Sequence, residues 1–138
     1  MKALLEVFLR QFDFLYLDPQ YRITDSSTDE NAVNASLRVT GEVLTWQIVN
    51  DRNRLQLSII PTLLPEQGFW ISLIRQYVEG MEQIEYLPAL EEIQWARENL
   101  KQIDALFSDR FSLQAVCDEL RALLRSNAEK EWGPAVGR

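Results

Sequence analysis

Five glutamates stand between Val78 and Glu92, at positions 79, 82, 85, 91 and 92, with no lysine or arginine among them. Carboxylates at this density could hold a metal, share acid–base work or meet a basic surface. Acid–base chemistry needs only two carboxyl groups at the right separation. With 21 acidic residues in the chain, the sequence singles out no such pair. The chain has no histidine, so it lacks the commonest general base and metal ligand, and every Ser-His or Cys-His nucleophile. Its one cysteine, Cys117, cannot build a zinc site. Asp25-x-Ser27-x-Asp29 begins like a calcium loop. Glu30 then stands where the sharp turn needs glycine, and Ser36 where the bidentate glutamate belongs. The five glycines are scattered and form no phosphate-binding loop. The expectation is therefore no cofactor, no metal and no catalytic residue.

Glu91 and Glu92 follow Pro88 by three and four residues and suit the positive end of a helix dipole. Glu79, Glu82 and Glu85 have no such local reason. They are spaced by three and straddle the break at Gly80. One reading is a solvated face, because like charges at this spacing cost only about 0.2–0.5 kcal/mol per pair. The other reading is a surface for a basic protein partner. Trp95 joins it as the aromatic anchor, since it lies two residues past Ile93, about 200° around the helix from that core position. Its alternative place is within the fold, on another buried face. As exposed charges, the three glutamates should be reversible to lysine with little effect on stability.

These residues need a scaffold, and hydrophobic spacing supplies it. Leu4, Leu5, Phe8, Phe12 and Leu15 make an amphipathic N-terminal helix that Asp18-Pro19 stops. Tyr21 and Ile23 suit a short strand, followed by a polar loop over Asp25–Asn31. Ala35, Leu37 and Val39, then Leu44, Trp46 and Ile48, then Leu55, Leu57 and Ile59 alternate with polar residues. Thr40-Gly41-Glu42 and Asn50–Asn53 read as the turns between them. The pattern predicts an antiparallel meander of three or four strands over residues ~20–61. After Pro65 the period becomes helical. Trp70, Leu73, Ile74, Tyr77 and Val78 form one stripe. Ile93, Ala96, Leu100, Ile103 and Phe107 form a second, opened by Pro88. Leu113, Val116, Cys117, Leu120 and Leu123 form a third, with Ser112 as its N-cap and Gly133-Pro134 as its end. Cys117 on that stripe reads as a buried structural thiol, and Trp46 and Trp70 read as core aromatics. The fold class is α+β: an N-terminal helix, the meander, then three C-terminal helices packed on the sheet, in one domain of 138 residues.

A net charge of −7 argues against nucleic acid and against an anionic membrane. No apolar run reaches the length of a membrane span, and "MKALLEVFLR" lacks the plan of a signal peptide. With the lone cysteine, this points to a cytoplasmic protein. The stretches "LLEVFLRQFDFL", "LTWQIVNDRNRLQLSII", "FWISLIRQYV" and "LQAVCDELRALLRSNAEKEWG" give the chain a layout that resembles small acidic bacterial immunity-type proteins. That resemblance implies a non-catalytic protein that binds and inhibits a toxin domain through a basic surface of the toxin, and it transfers no residue role. A small carboxylate-only enzyme and a structural homo-oligomer are the alternatives; clustered glutamates oppose self-association and favour a monomer. The chemistry is checked by elemental analysis of protein purified without chelators. It should find no stoichiometric transition metal, and Cys117→Ala should keep function wherever it keeps the fold.

Overall fold

A computed structural model describes residues 1–29 and 34–132. The chain is α+β. Helix α1 (Lys2–Gln11) and the single turn α2 (Asp13–Tyr16) lead into a five-stranded antiparallel sheet. The strands are β1 (Arg22–Thr28), β2 (Asn34–Thr40), β3 (Leu44–Asp51), β4 (Arg54–Pro61) and β5 (Phe69–Trp70), and they lie side by side in chain order. Helices α3 (Ile71–Glu79), α4 (Ala89–Glu98), α5 (Leu100–Ser108) and α6 (Leu113–Trp132) follow.

The register shows why the sheet buries one face. Val39 pairs with Trp46, Trp46 with Ile59, and Ile59 with Phe69, so one apolar row crosses four strands. Leu37, Ile48 and Leu57 make a second row. Both rows are buried, and Trp46 is fully enclosed. The opposite face carries hydroxyl and amide pairs: Ser27 with Ser36 at 2.7 Å, Thr24 with Thr40 at 2.8 Å, Arg38 to Gln47 at 3.0 Å, and Thr45 with Thr62 at 3.0 Å. This division is the period of two at work. Phe12 and Phe14 meet Trp46 edge-on at 6.5 and 5.7 Å, and Phe69 stacks on Phe107 at 6.5 Å. Arg97 ties the N-terminal helices to α4. Its Nη2 donates to the Gln11 carbonyl at 2.6 Å and pairs with Asp13 at 2.9 Å. The Tyr77 hydroxyl donates to Glu119, joining α3 to α6, and this bond pushes the phenol up to about 12.

Several elements differ from the sequence reading. The sheet has five strands because Phe69 and Trp70 pair with Ile59 and Ser58 before the chain turns helical. Trp70 is the extended N-cap of α3, with φ −65° and ψ 148°, and not a member of its apolar stripe. Strand β1 runs through Asp25–Thr28, where a loop is expected, held by the β2 ladder despite its polar sequence. The N-terminal helix breaks at Phe12, and the long second helix breaks at Asn99, whose Nδ2 donates to the Trp95 carbonyl at 2.8 Å. The described residues thus hold four C-terminal helices instead of three. Ser112 directly precedes α6 and its carbonyl accepts the Val116 N–H at 3.0 Å, but its hydroxyl donates back to the Asp109 carbonyl at 3.3 Å. Glu30 and Gly133-Pro134 lie outside the described residues.

Leu120 is fully buried, so Leu120→Ala should cost about 2–5 kcal/mol in a denaturant titration. Two glycines separate packing from conformation. A Cβ on Gly41 would come within 2.4 Å of the buried Tyr21 ring, whereas one on Gly80 meets nothing within 4 Å. Gly80 has φ +65°, so Gly80→Ala should lose only about 1–2 kcal/mol of left-handed strain. Gly41→Ala should alter the near-ultraviolet dichroism of the packed tyrosine, and Gly80→Ala should leave it unchanged.

Candidate functional site

The acidic segment is built around a cation from the preceding turn. Arg75 lies on α3 one turn before Glu79, and its side chain is only 17% exposed. Its Nε is 3.1 Å from one Glu79 oxygen, and its Nη1 is 3.7 Å from Glu85. Neither nitrogen has hydrogen-bond geometry to any acceptor, so these contacts are ion pairs held by distance and charge. The other Glu79 oxygen accepts the indole N–H of Trp95 at 3.1 Å. Burial pushes the Glu92 carboxyl above its ordinary value, and Arg75 opposes that shift. Glu79, Glu85 and Glu92 therefore gather on one guanidinium, and Trp95 joins them through Glu79.

Glu82 is held apart. Its side chain is exposed, and its carbonyl accepts Lys130 Nζ from α6 at 2.7 Å and Gln76 Nε2 at 3.5 Å. Gln76 is buried and exchanges side-chain hydrogen bonds with Asn127 at 2.6 and 3.0 Å. The segment after Gly80 is thus fastened to α3 and α6 through its backbone, which leaves the side chains of Glu82, Gln83 and Tyr86 exposed while Ile84 packs on the core.

Two tryptophans exchange the roles that their sequence positions suggest. Trp95 is 8% exposed and spends its N–H on Glu79, so it is a buried strut and not a surface anchor. Trp70 is 50% exposed, because in β5 Phe69 takes the inward position and alternation turns Trp70 outward. Glu79 is likewise structural, so reversing its charge would set a lysine against Arg75 and strand the Trp95 N–H. This corrects the expectation that all three glutamates can be reversed without cost.

Trp70 opens onto a groove of about 260 Å³. Leu55, Gln56 and Leu57 of β4 line one part of it; Tyr86, Leu87, Ala89 and Glu92 line another. Tyr86 is 71% exposed, and Leu90 beside Ala89 is also exposed. Tyr86 is not among the residues that charge or spacing singles out. Its only signal is an aromatic residue among glutamates directly before Leu87-Pro88. A second cleft, of about 330 Å³, holds Asp18, Asp104, Lys101 and Tyr21. Asp104 is pushed above its ordinary value by burial and by Asp18. It is the kind of carboxylate pair that the enzyme alternative would need. No known protein family, curated protein or solved structure matches the chain.

The Arg75 cluster predicts a pH-dependent stability. Arg75→Met should destabilise the protein by about 1–3 kcal/mol at pH 7, leaving Glu79, Glu85 and Glu92 uncompensated. Without Arg75 the Glu92 carboxyl moves further above its unfolded value, and a raised carboxyl weakens the fold once it ionises. The penalty should therefore shrink as pH falls from 7 towards 4. Denaturant midpoints of both proteins across that range check the sign.

Proposed function

We propose that the chain is a non-catalytic protein-binding module that receives a basic partner on the groove between β4 and α4 and on the acidic segment beside it. One observation carries this reading: the exposed aromatics Trp70 and Tyr86 line one groove together with Glu92. Exposed tryptophan and tyrosine are the side chains that most often dominate binding energy, and carboxylates at the rim select a cationic partner. Of the residues singled out by sequence, Glu82 and Glu85 are the direct contacts. Glu79 and Trp95 act by positioning, through Arg75. The resemblance to immunity-type proteins supplies the class of partner, a toxin domain with a basic surface whose activity is blocked when the groove is occupied.

The test is photo-crosslinking in the native cell from a benzophenone side chain at position 86 or 70, with position 9 as an exposed control away from the groove. One common partner should cross-link from 70 and 86 and not from 9. With that partner in hand, Tyr86→Ala should weaken binding by about 2 kcal/mol or more, mostly in dissociation. Glu82→Lys should slow association severalfold at low salt, with folding stability within about 0.5 kcal/mol of wild type. Equal association rates at 0.01 M salt would remove the electrostatic part of the reading.

A further inference from the structure

We infer that the groove takes its partner as an added β-strand, an extended basic segment that pairs with the open edge of β4 at Leu55–Leu57; this deepens the protein-binding reading and rests on it. Arg52 and Asn53 both have positive φ, 51° and 67°, as a two-residue type I′ hairpin requires. Asp51 and Arg54, which flank it, are then the first hydrogen-bonded pair. Backbone direction alternates from there. Gln56 and Ser58 bond to β3, while Leu55, Leu57 and Ile59 turn their amides to the other side. Ile59 meets Phe69 in β5. Beyond Trp70 the chain rises into α3, so no strand continues beside Leu55 and Leu57. Among the described residues, no loop or side chain bonds to the backbone of either.

The two edges of the sheet are treated differently. The β1 edge carries Asp25 and a register shift between Ile23 and Asp25, both of which discourage a further strand. The β4 edge keeps unbroken register with β3 from Arg54 to Pro61, and Leu55–Leu57 carry neither charge nor proline. An edge whose backbone is left unpaired and without such protection is a template for pairing. Here it is bounded by Trp70 and Tyr86 for apolar side chains and by Glu92 for a lysine or arginine. That charge fixes the occupant as a basic segment of a protein partner. A second copy of this chain, at net charge −7, would bring repulsion instead.

The probe is a capped ten-residue peptide of alternating valine and lysine, titrated into the full chain. Two further peptides carry N-methyl groups on the valine amides only or on the lysine amides only. The readouts are Trp fluorescence and amide hydrogen exchange resolved to single residues. The unmodified peptide should bind and slow exchange at Leu55 and Leu57. One methylation pattern should weaken binding by at least about tenfold and the other by less than about threefold, because only alternate amides face β4. Glu92→Gln should weaken the unmodified peptide several-fold. If both methylated peptides bind as well as the parent at the groove, strand addition is overturned while the groove remains a protein-binding site. If no peptide protects Leu55 and Leu57, or protection falls elsewhere, the groove takes no basic segment and both readings fail.

Discussion

The structure depends on the burial of one face of a five-stranded sheet. The row Val39–Trp46–Ile59–Phe69 puts apolar side chains on that face across four strands, and its centre, Trp46, is wholly enclosed. A surface of this kind must be covered, and the covering elements come from both ends of the chain. Phe12 and Phe14 reach Trp46 from the N-terminal turns, and Phe107 reaches Phe69 from α5. Because all the helical cover is drawn to one side, the other face is left with hydroxyl and amide ladders that water can solvate.

The same one-sided packing gives the acidic segment its form. Helix α3 must end where it meets α6, and Gly80 supplies the left-handed residue that ends it. The return towards α4 brings Glu85 and Glu92 back to Arg75, which already pairs with Glu79. A stretch with no cation of its own is thereby given one from the turn before it. Part of the apparent charge excess is internal balance, and one guanidinium against Glu79, Glu85 and Glu92 leaves negative charge over for a partner. Glu79, bound at both oxygens, holds the helix pair together instead.

The groove is a by-product of the short fifth strand. Two residues suffice to bury Phe69, and the chain then leaves the sheet to form α3. The first half of β4 is left with an edge that no strand pairs, next to the aromatic residue that alternation has turned outward. A longer β5 would close this edge and bury Trp70 against its neighbours. The site proposed for the partner thus exists because helix formation at Ile71 ends the strand early.

Much of the fold was legible in the sequence because its signals are local. Period-two alternation in β2, β3 and β4, the turn at Arg52-Asn53 and the stripes of α3 to α6 each lie within one element and depend on its own geometry. The burial of Leu57, Trp46, Cys117 and Leu120 followed from the same periodicities. The site was only partly legible. Glu82 and Glu85 stood out by charge, but the role of Glu79 depended on Arg75 and Trp95 together, and Trp95 comes sixteen residues later. Whether a tryptophan is strut or anchor is decided by what packs on it, and single-residue spacing does not contain that information. Trp70 was misplaced for a related reason: helical and strand periods overlap where one element runs directly into the next, and only pairing with Ser58 fixed which applied. The sequence by itself determined the elements and their inner faces, because alternation and helical period are properties of neighbouring residues. Tertiary structure alone decided which carboxylates are spent on Arg75, which aromatics stay exposed and which strand edge stays open, because those depend on long-range contacts that no local period encodes.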